Sequence, residues 1–265
     1  MPEYALELSE AELLRYRMMA EAALATEREM WAAAGVVEGA TVADVGCGPG
    51  AMSVVLAGVV GPSGRVLAVD REPQARDAAN AAAERAGAAN VTVLAGEAQD
   101  TGLEPASVDV VMMRHVLAHN GGLEEAIVGH AAGLVRPGGS VYLVDIDGSA
   151  VRIRPPEPDV EDLTDRYFQL HATEGNDLSV GLRLDELLAG AGLEVLDFRG
   201  AYQIISLPPG LRPPSWAATG AMVAAGLATP DDVDRWGTAL DRLDRADQRP
   251  TVFAPSFIAY GRRPL

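Results

Sequence analysis

Residues 42–50 read Val-Ala-Asp-Val-Gly-Cys-Gly-Pro-Gly, and no other stretch restricts the fold as tightly. A short Val-rich run is the pattern of a buried strand, and glycines at alternate positions behind it allow a turn tight enough for backbone to touch a ligand. Two kinds of ligand use such a turn. Gly46, Gly48 and Ala51 satisfy the dinucleotide spacing G-x-G-x-x-A, in which exposed N–H groups hold a pyrophosphate at a helix N-terminus. Asp44, two residues ahead of the first glycine, argues the other way, because a carboxylate there repels phosphate and attracts a cation. A second acid, Asp70, closes the apolar run Val66-Leu67-Ala68-Val69, at the distance from the glycines where a carboxylate accepts from ribose hydroxyls. Both ligand classes contain that ribose, so Asp70 points to a nucleoside without choosing between them.

The totals narrow the partners. A chain of 265 residues buries about 70–75% of its unfolded surface, enough for one α/β domain or two small ones. Its net charge of −17 repels a nucleic acid, and no basic patch opposes that field; all 21 basic residues are arginine. Cys47 is the single cysteine, which excludes an internal disulfide and, within a glycine turn, suits a packing or backbone role. No apolar run approaches membrane-spanning length, and the acidic opening MPEYALELSE lacks the regions of a signal peptide, so a soluble cytoplasmic protein is expected.

Along the chain, Ser9 and Glu12 form an S-x-x-E capping box, and the spacing of Leu13, Tyr16, Ala20 and Leu24 predicts a helix ending near Gly35. After the glycine turn a helix runs to about Val60, residues 61–64 break the chain, and a strand spans 65–70. The alternation continues with a helix over 72–86 stopped by Gly87, strands over 90–94 and 107–113, a helix over 123–135 stopped by Pro137-Gly138-Gly139, and a strand over 140–145. Residues 147–176 hold Pro155, Pro156 and Pro158 and match no sheet layer. A helix over 182–191, a strand over 193–206, a rigid linker over 208–214, a helix over 215–245 in two parts broken near Pro230, and a strand over 251–260 complete the series. The expected organisation is one domain, 1–265: a helical cover (1–38), a cofactor-binding core (39–145), cap insertions (146–181 and 207–250) and a final strand (251–265). Tyr167, Phe168, Tyr202, Trp216 and Trp236 cluster in or beside the insertions, as walls of an apolar cavity or simply as the buried side of cap helices.

The run D-x-G-x-G-x-G, here Asp44-Val-Gly46-Cys-Gly48-Pro-Gly50, resembles motif I of the class I S-adenosylmethionine-dependent methyltransferases. The resemblance covers the first four-fifths of the chain. Within that family, R-H-V-L-A-H-N over 114–120, the proline-rich stretch after the fifth strand and F-A-P-S-F-I-A-Y-G over 253–261 are similar to small-molecule enzymes of the ubiquinone and secondary-metabolite type. An N-P-P-Y tetrad, found in nucleic-acid methylating relatives, is absent. The resemblance implies an α/β fold: a doubly wound, mostly parallel sheet of seven strands with the last antiparallel, an N-terminal helix and helical cap insertions. It implies S-adenosyl-L-methionine as cofactor, with Asp44, Gly46, Cys47, Gly48 and Gly50 at its methionine part, Asp70 at the ribose, Glu97 and Ala98 near the adenine, and Arg71 among the cofactor-binding residues. Arg114, at the end of the fourth strand, and Tyr16, on the N-terminal helix, complete the expected cofactor set. The implied partner is a small-molecule acceptor, neither nucleic acid nor membrane, with oligomeric state open and a homodimer among the options.

A sulfonium methyl is already activated, so aligning a nucleophile behind it is the main task, and such orientation supplies roughly 7–11 kcal/mol. Oxygen and carbon acceptors also lose a proton, for which histidine is suited. His115 and His119, at the ligand edge of the sheet, are the candidates; the family pattern favours His119 as base with His115 shaping the pocket, and His171 stands next. No metal is implied, because metal-dependent relatives carry an acid where this chain has Met113 and Arg114. Two further readings stay open: a methyltransferase-fold protein performing a different reaction, such as cyclisation or hydroxylation, and an NAD-dependent dehydrogenase, against which Asp44 argues.

Overall fold

The computed structural model describes residues 8–206, 208–246 and 250–265; residues 1–7 of the expected cover, and 207 and 247–249 of the second expected insertion, lie outside the described residues. The strands are β1 (Thr41–Val45), β2 (Arg65–Asp70), β3 (Val91–Ala95), β4 (Val108–Arg114), β5 (Val135–Ile146), β6 (Arg152–Arg154), β7 (Glu194–Ser206) and β8 (Thr251–Arg262). The first five are parallel in the order β3-β2-β1-β4-β5, β8 runs antiparallel to β5, and β7 runs antiparallel to β8. The order reverses at β1, where β2 lies on one side and β4 on the other, and a crevice opens there at the carboxyl ends of the strands.

Period-two alternation sorts the core. Val110 and Met112 join Val42, Val66 and Tyr142 on one face, covered by α1 (Glu10–Ala34) and α2 (Ala51–Val60) through Trp31, Leu56 and Val60. Val111 and Met113 join Ala43 and Leu143 on the other, covered by α4 (Glu124–Leu134) and α6 (Leu184–Gly190) through Ile127, Leu134, Leu184 and Leu188. Burial on both faces is why these strands read as continuous apolar runs. α3 (Pro73–Ala86) is the crossover from β2 to β3, and its Ala79 packs against Cys47 and Ala68 under the glycine turn. α1 begins as expected at Ser9, whose side chain accepts from Glu12 N–H, and ends at Gly35 in the left-handed conformation. The Glu12 carboxylate goes to Arg15, 2.6 Å away.

The structure departs from the sequence reading in four places. The described sheet has eight strands rather than seven: β6 pairs with Thr251–Phe253 of β8, on the side that β5 occupies further along, so it is β5 resuming after a turn at Gly148–Ala150. Three residues are too few to show a period, and flanking prolines hide them. β5 itself starts at Val135, which pairs with Val108, but the next register partners are Val110 and Ser140, so residues 136–139 bulge out of the β4–β5 ladder, with Gly138 at φ 80°, and the break falls inside the strand rather than before it. Residues 215–245 form three helices instead of two, α7 (Pro214–Ala217), α8 (Thr219–Ala224) and α9 (Pro230–Arg245). The two insertions are also one unit. α5 (Pro158–Thr173) packs Val160, Leu163, Tyr167 and Leu170 against Met222, Trp236 and Leu240 of α8 and α9, while Arg235 pairs with Asp162 at 2.7 Å and Arg242 with Glu157 at 2.8 Å. No described helix is long and apolar enough to cross a membrane.

Candidate active site

The glycine turn joins β1 to α2, with Gly46, Gly48 and Gly50 all at positive φ. They serve different ends. A Cβ on Gly46 would lie 2.5 Å from a Val116 methyl, and one on Gly50 2.8 Å from the Ala79 backbone, so these two let the loop pack against the segment after β4 and against α3. A Cβ on Gly48 would meet only a Tyr16 ring carbon at 3.8 Å, leaving open space above the backbone. The Gly48 N–H donates to Asp70 at 2.8 Å and the Glu72 N–H to the other Asp70 oxygen at 3.0 Å. Each of those oxygens keeps acceptor capacity for a ligand hydroxyl.

Asp44 sits below the turn, 3% exposed, accepting from the Ser53 hydroxyl at 2.5 Å. Burial pushes its carboxyl up to about 6, opposed by the Ser53 hydrogen bond and the Arg114 charge. A cation brought near it restores the carboxylate.

A cavity of about 2170 Å³ opens above this floor. A drug-sized site occupies roughly 300–1,000 Å³, so there is room for a nucleoside cofactor and a sizeable acceptor together. Its polar end is walled by Asp44, Gly46, Cys47, Gly48, Asp70 and Arg71, with Glu97 and Ala98 beside them. Tyr16 of α1, Arg114 at the end of β4, and His115 and His119 beyond it line it as well; of the sequence-predicted site residues Gly50 and His171 are outside the wall. The far end is apolar, formed by the cap and the β7–β8 pair through Ile153, Val160, Phe168, Trp216, Ile205 and Val252. Arg114 is committed to Glu27 of α1 through bonds of 2.6 and 3.0 Å, and Trp31 and Tyr142 donate to the same carboxylate. These residues fit a nucleoside carrying a cationic tail: open backbone at Gly48, a carboxylate for hydroxyls at Asp70, and a buried acid at Asp44.

The histidines stand where the two ends meet. His115 adopts φ 56°, a left-handed conformation rare outside glycine, at the end of β4. Its Nδ1 is 3.9 Å from Asp145, a carboxylate 1% exposed that accepts from the Ala118 and Ile146 N–H groups. His119 lies in a 3-10 turn, Leu117–His119, and burial pushes its imidazole down to about 4. His171 of α5 comes from the cap, its ring centroid 4.9 Å from that of His119. His130, on α4, meets Thr101 instead and is not among the cavity walls.

Sequence reasoning passed over Glu27, Ser53 and Asp145. Asp145 closes the run Val141-Tyr-Leu-Val as Asp70 closes its own, and that repeated pattern was the available signal. Glu27 falls between Ala23 and Trp31 on the apolar stripe of α1, where an acid calls for a buried partner.

Known proteins resemble this chain in sequence and in fold. The profile of a methyltransferase domain family matches residues 37–178. Nocamycin O-methyltransferase of Saccharothrix syringae is 39% identical over 106 residues, 40% of this chain and 37% of that protein. The chain spans between 34% and 44% of the length of the first three curated relatives it matches. In fold it is similar to a putative methyltransferase of Bacillus halodurans, with TM-score 0.60 and 18% identity over 91% of this chain and all of that one. A cyclase shares the fold at TM-score 0.55 and 14% identity, over 94% of this chain and 82% of that one.

Proposed function

The chain belongs to the class I S-adenosylmethionine-dependent methyltransferases, and from that premise we propose that it methylates a small-molecule acceptor, largely apolar and of natural-product or quinone-like character, at an atom that must lose a proton. One observation carries the reading: a single cavity runs from Gly48 and Asp70 to the apolar walls of the cap, with His115 and His119 between. The bound cofactor would supply an electrophilic methyl group. Asp70 would accept from its ribose hydroxyls, Asp44 would lie by its cationic end, and Glu97 and Ala98 would flank the base. Arg114 would act at one remove, holding α1 and Tyr16 over the site through Glu27.

Between the histidines, the surroundings favour His115 as the general base. Asp145 faces its Nδ1 and stabilises the imidazolium formed when it takes the acceptor proton. Burial disfavours a charge on His119, which suits a neutral group that donates a hydrogen bond. A base of this kind contributes roughly 10²–10⁴ in rate. The two insertions act as one acceptor-binding cap.

The test is to incubate the protein with S-adenosylmethionine and a panel of phenols, enols and hydroquinones, measuring S-adenosylhomocysteine release. Turnover that falls by that factor in His115→Ala, with unchanged cofactor affinity, is the expected result. Cofactor binding without S-adenosylhomocysteine from any acceptor would favour a non-methylating reaction on the same fold, and quenching or enhancement of NADH fluorescence would favour a dehydrogenase.

A further inference from the structure

We propose that His171, contributed by the cap, is a positioning residue: its Nε2–H donates to a ring nitrogen of His119, leaving the remaining N–H of His119 to donate to the acceptor. The inference rests on reading the cavity as an acceptor site, whereas the hydrogen-bond chain itself follows from heavy-atom distances and from which groups can only donate.

That chain begins at backbone. The Gly121 N–H, which can only donate, lies 3.1 Å from Asn176 Oδ1, so the Asn176 amide is oriented with Nδ2 toward His171. Nδ2 can only donate, and it lies 3.0 Å from His171 Nδ1 and 3.0 Å from Glu174 Oε2. Nδ1 therefore carries the lone pair, and in the neutral ring the proton sits on Nε2. Glu174 Oε2 is 3.6 Å from Nδ1, beyond hydrogen-bond distance.

His171 is 3% exposed, and its Nε2 is buried without a hydrogen-bond partner among the described residues. A buried donor is expensive to leave unmade. Tyr167 packs edge-on to the same ring at 4.4 Å, and His119 faces it at 4.9 Å between centroids, within reach of an N–H···N bond after a modest ring rotation. Burial holds both imidazoles down to about 4, so both are neutral near pH 7 and the pair needs no counter-charge. Each link then has one donor and one acceptor, running Asn176 to His171 to His119 and ending in the cavity that His119 lines.

The backbone holds the two ends in register. A Cβ on Gly121 would fall 1.7 Å from the Gly175 carbonyl oxygen, so the loop bearing His119 and the end of α5 touch through a residue that must be glycine. Cap and histidine loop consequently move together, and seating of the cap sets the tautomer of His119.

Long-range proton–nitrogen NMR on ¹⁵N-histidine-labelled protein with S-adenosylhomocysteine reads the tautomers without any acceptor or turnover. In the parent, His171 should appear as the Nε2–H form and His119 as a single tautomer. In His171→Phe, which keeps the ring packing, His119 should average over both, and in His171→Gln, which restores a donor, it should return to one. Parent His171 in the Nδ1–H form, or a His119 spectrum indifferent to His171→Phe, would overturn the proposal without bearing on methyl transfer. Once an acceptor is found, kcat in His171→Phe should fall by up to about 100-fold with cofactor affinity unchanged, and recover in His171→Gln.

Discussion

Replacing Glu27 by alanine is expected to destabilise the protein far more than its place on the N-terminal helix suggests. Its carboxylate, on a side chain 4% exposed, accepts from both Arg114 amino groups at 2.6 and 3.0 Å, from Trp31 Nε1 at 3.1 Å and from the Tyr142 hydroxyl at 3.0 Å. Arg114 is itself 11% exposed, so removing Glu27 strands a guanidinium with little water to replace its partner. Breaking a buried pair in this way costs about 3–5 kcal/mol. The orphaned Trp31 and Tyr142 donors put the expected loss at the upper end, since each unsatisfied buried donor alone costs about 1–3 kcal/mol and the effects overlap. For a chain of this size about 2–4 °C of melting temperature follows each kcal/mol, which gives a drop of about 6–20 °C in a thermal scan. The double variant Glu27→Leu with Arg114→Met removes both charges and should recover much of the loss. A Glu27→Ala protein that melts within a degree of the parent, or a double variant no better than the single one, would refute the argument that this network is dry and coupled.

Three further outcomes are expected. Asp70→Ala should weaken S-adenosylmethionine binding by the loss of two hydrogen bonds to a charged acceptor, of order 1.5–3 kcal/mol each, and unchanged affinity by calorimetry would remove Asp70 from the site. For Asp44, the folded carboxyl at about 6 stands above its ordinary 3.8. The native state therefore binds the extra proton, and the stabilisation this provides is present below pH 3.8 and lost as pH rises through 6. A cationic ligand favours the ionised form, so cofactor affinity should fall about tenfold per pH unit below 6, a slope that Asp44→Asn should abolish. Both Gly48→Ala and Gly50→Ala incur roughly 1–2 kcal/mol for their left-handed backbone. Gly50→Ala should unfold more readily, because its methyl meets the α3 backbone, whereas Gly48→Val should stay folded and lose the cofactor. Equal stabilities, or full binding by Gly48→Val, would contradict the division of labour in the turn.

What was legible in the sequence was local. The glycine turn, Asp44 and Asp70 announce themselves because strand, turn and acid occur within a few residues and their geometry depends on little else. The parallel core followed, since strands buried on both faces must be apolar throughout. Residues that act across long separations were silent: Glu27 meets Arg114 from 87 positions away, and Asn176 meets Gly121 from 55. β6 was hidden because its pairing partner is the last strand of the chain. The left-handed turn at His115 has no glycine to mark it, and it is imposed by the fold around it. Fusion of the two insertions into one cap was equally unreadable, because the stripe on α5 shows that it must be covered and does not say by what.

That division of the cap has a consequence for synthesis. The apolar stripe of α5 finishes at Leu170, yet α9, which covers it, begins at Pro230 and ends at Arg245. At roughly 5–20 residues per second, the ribosome takes several seconds to deliver the missing half, and β8, which joins β5, β6 and β7, comes later still. During that interval β1 to β5 can already pair, while Val160, Leu163 and Tyr167 have nothing to bury against. The nascent chain thus presents the parallel half of the sheet with an uncovered apolar helix attached.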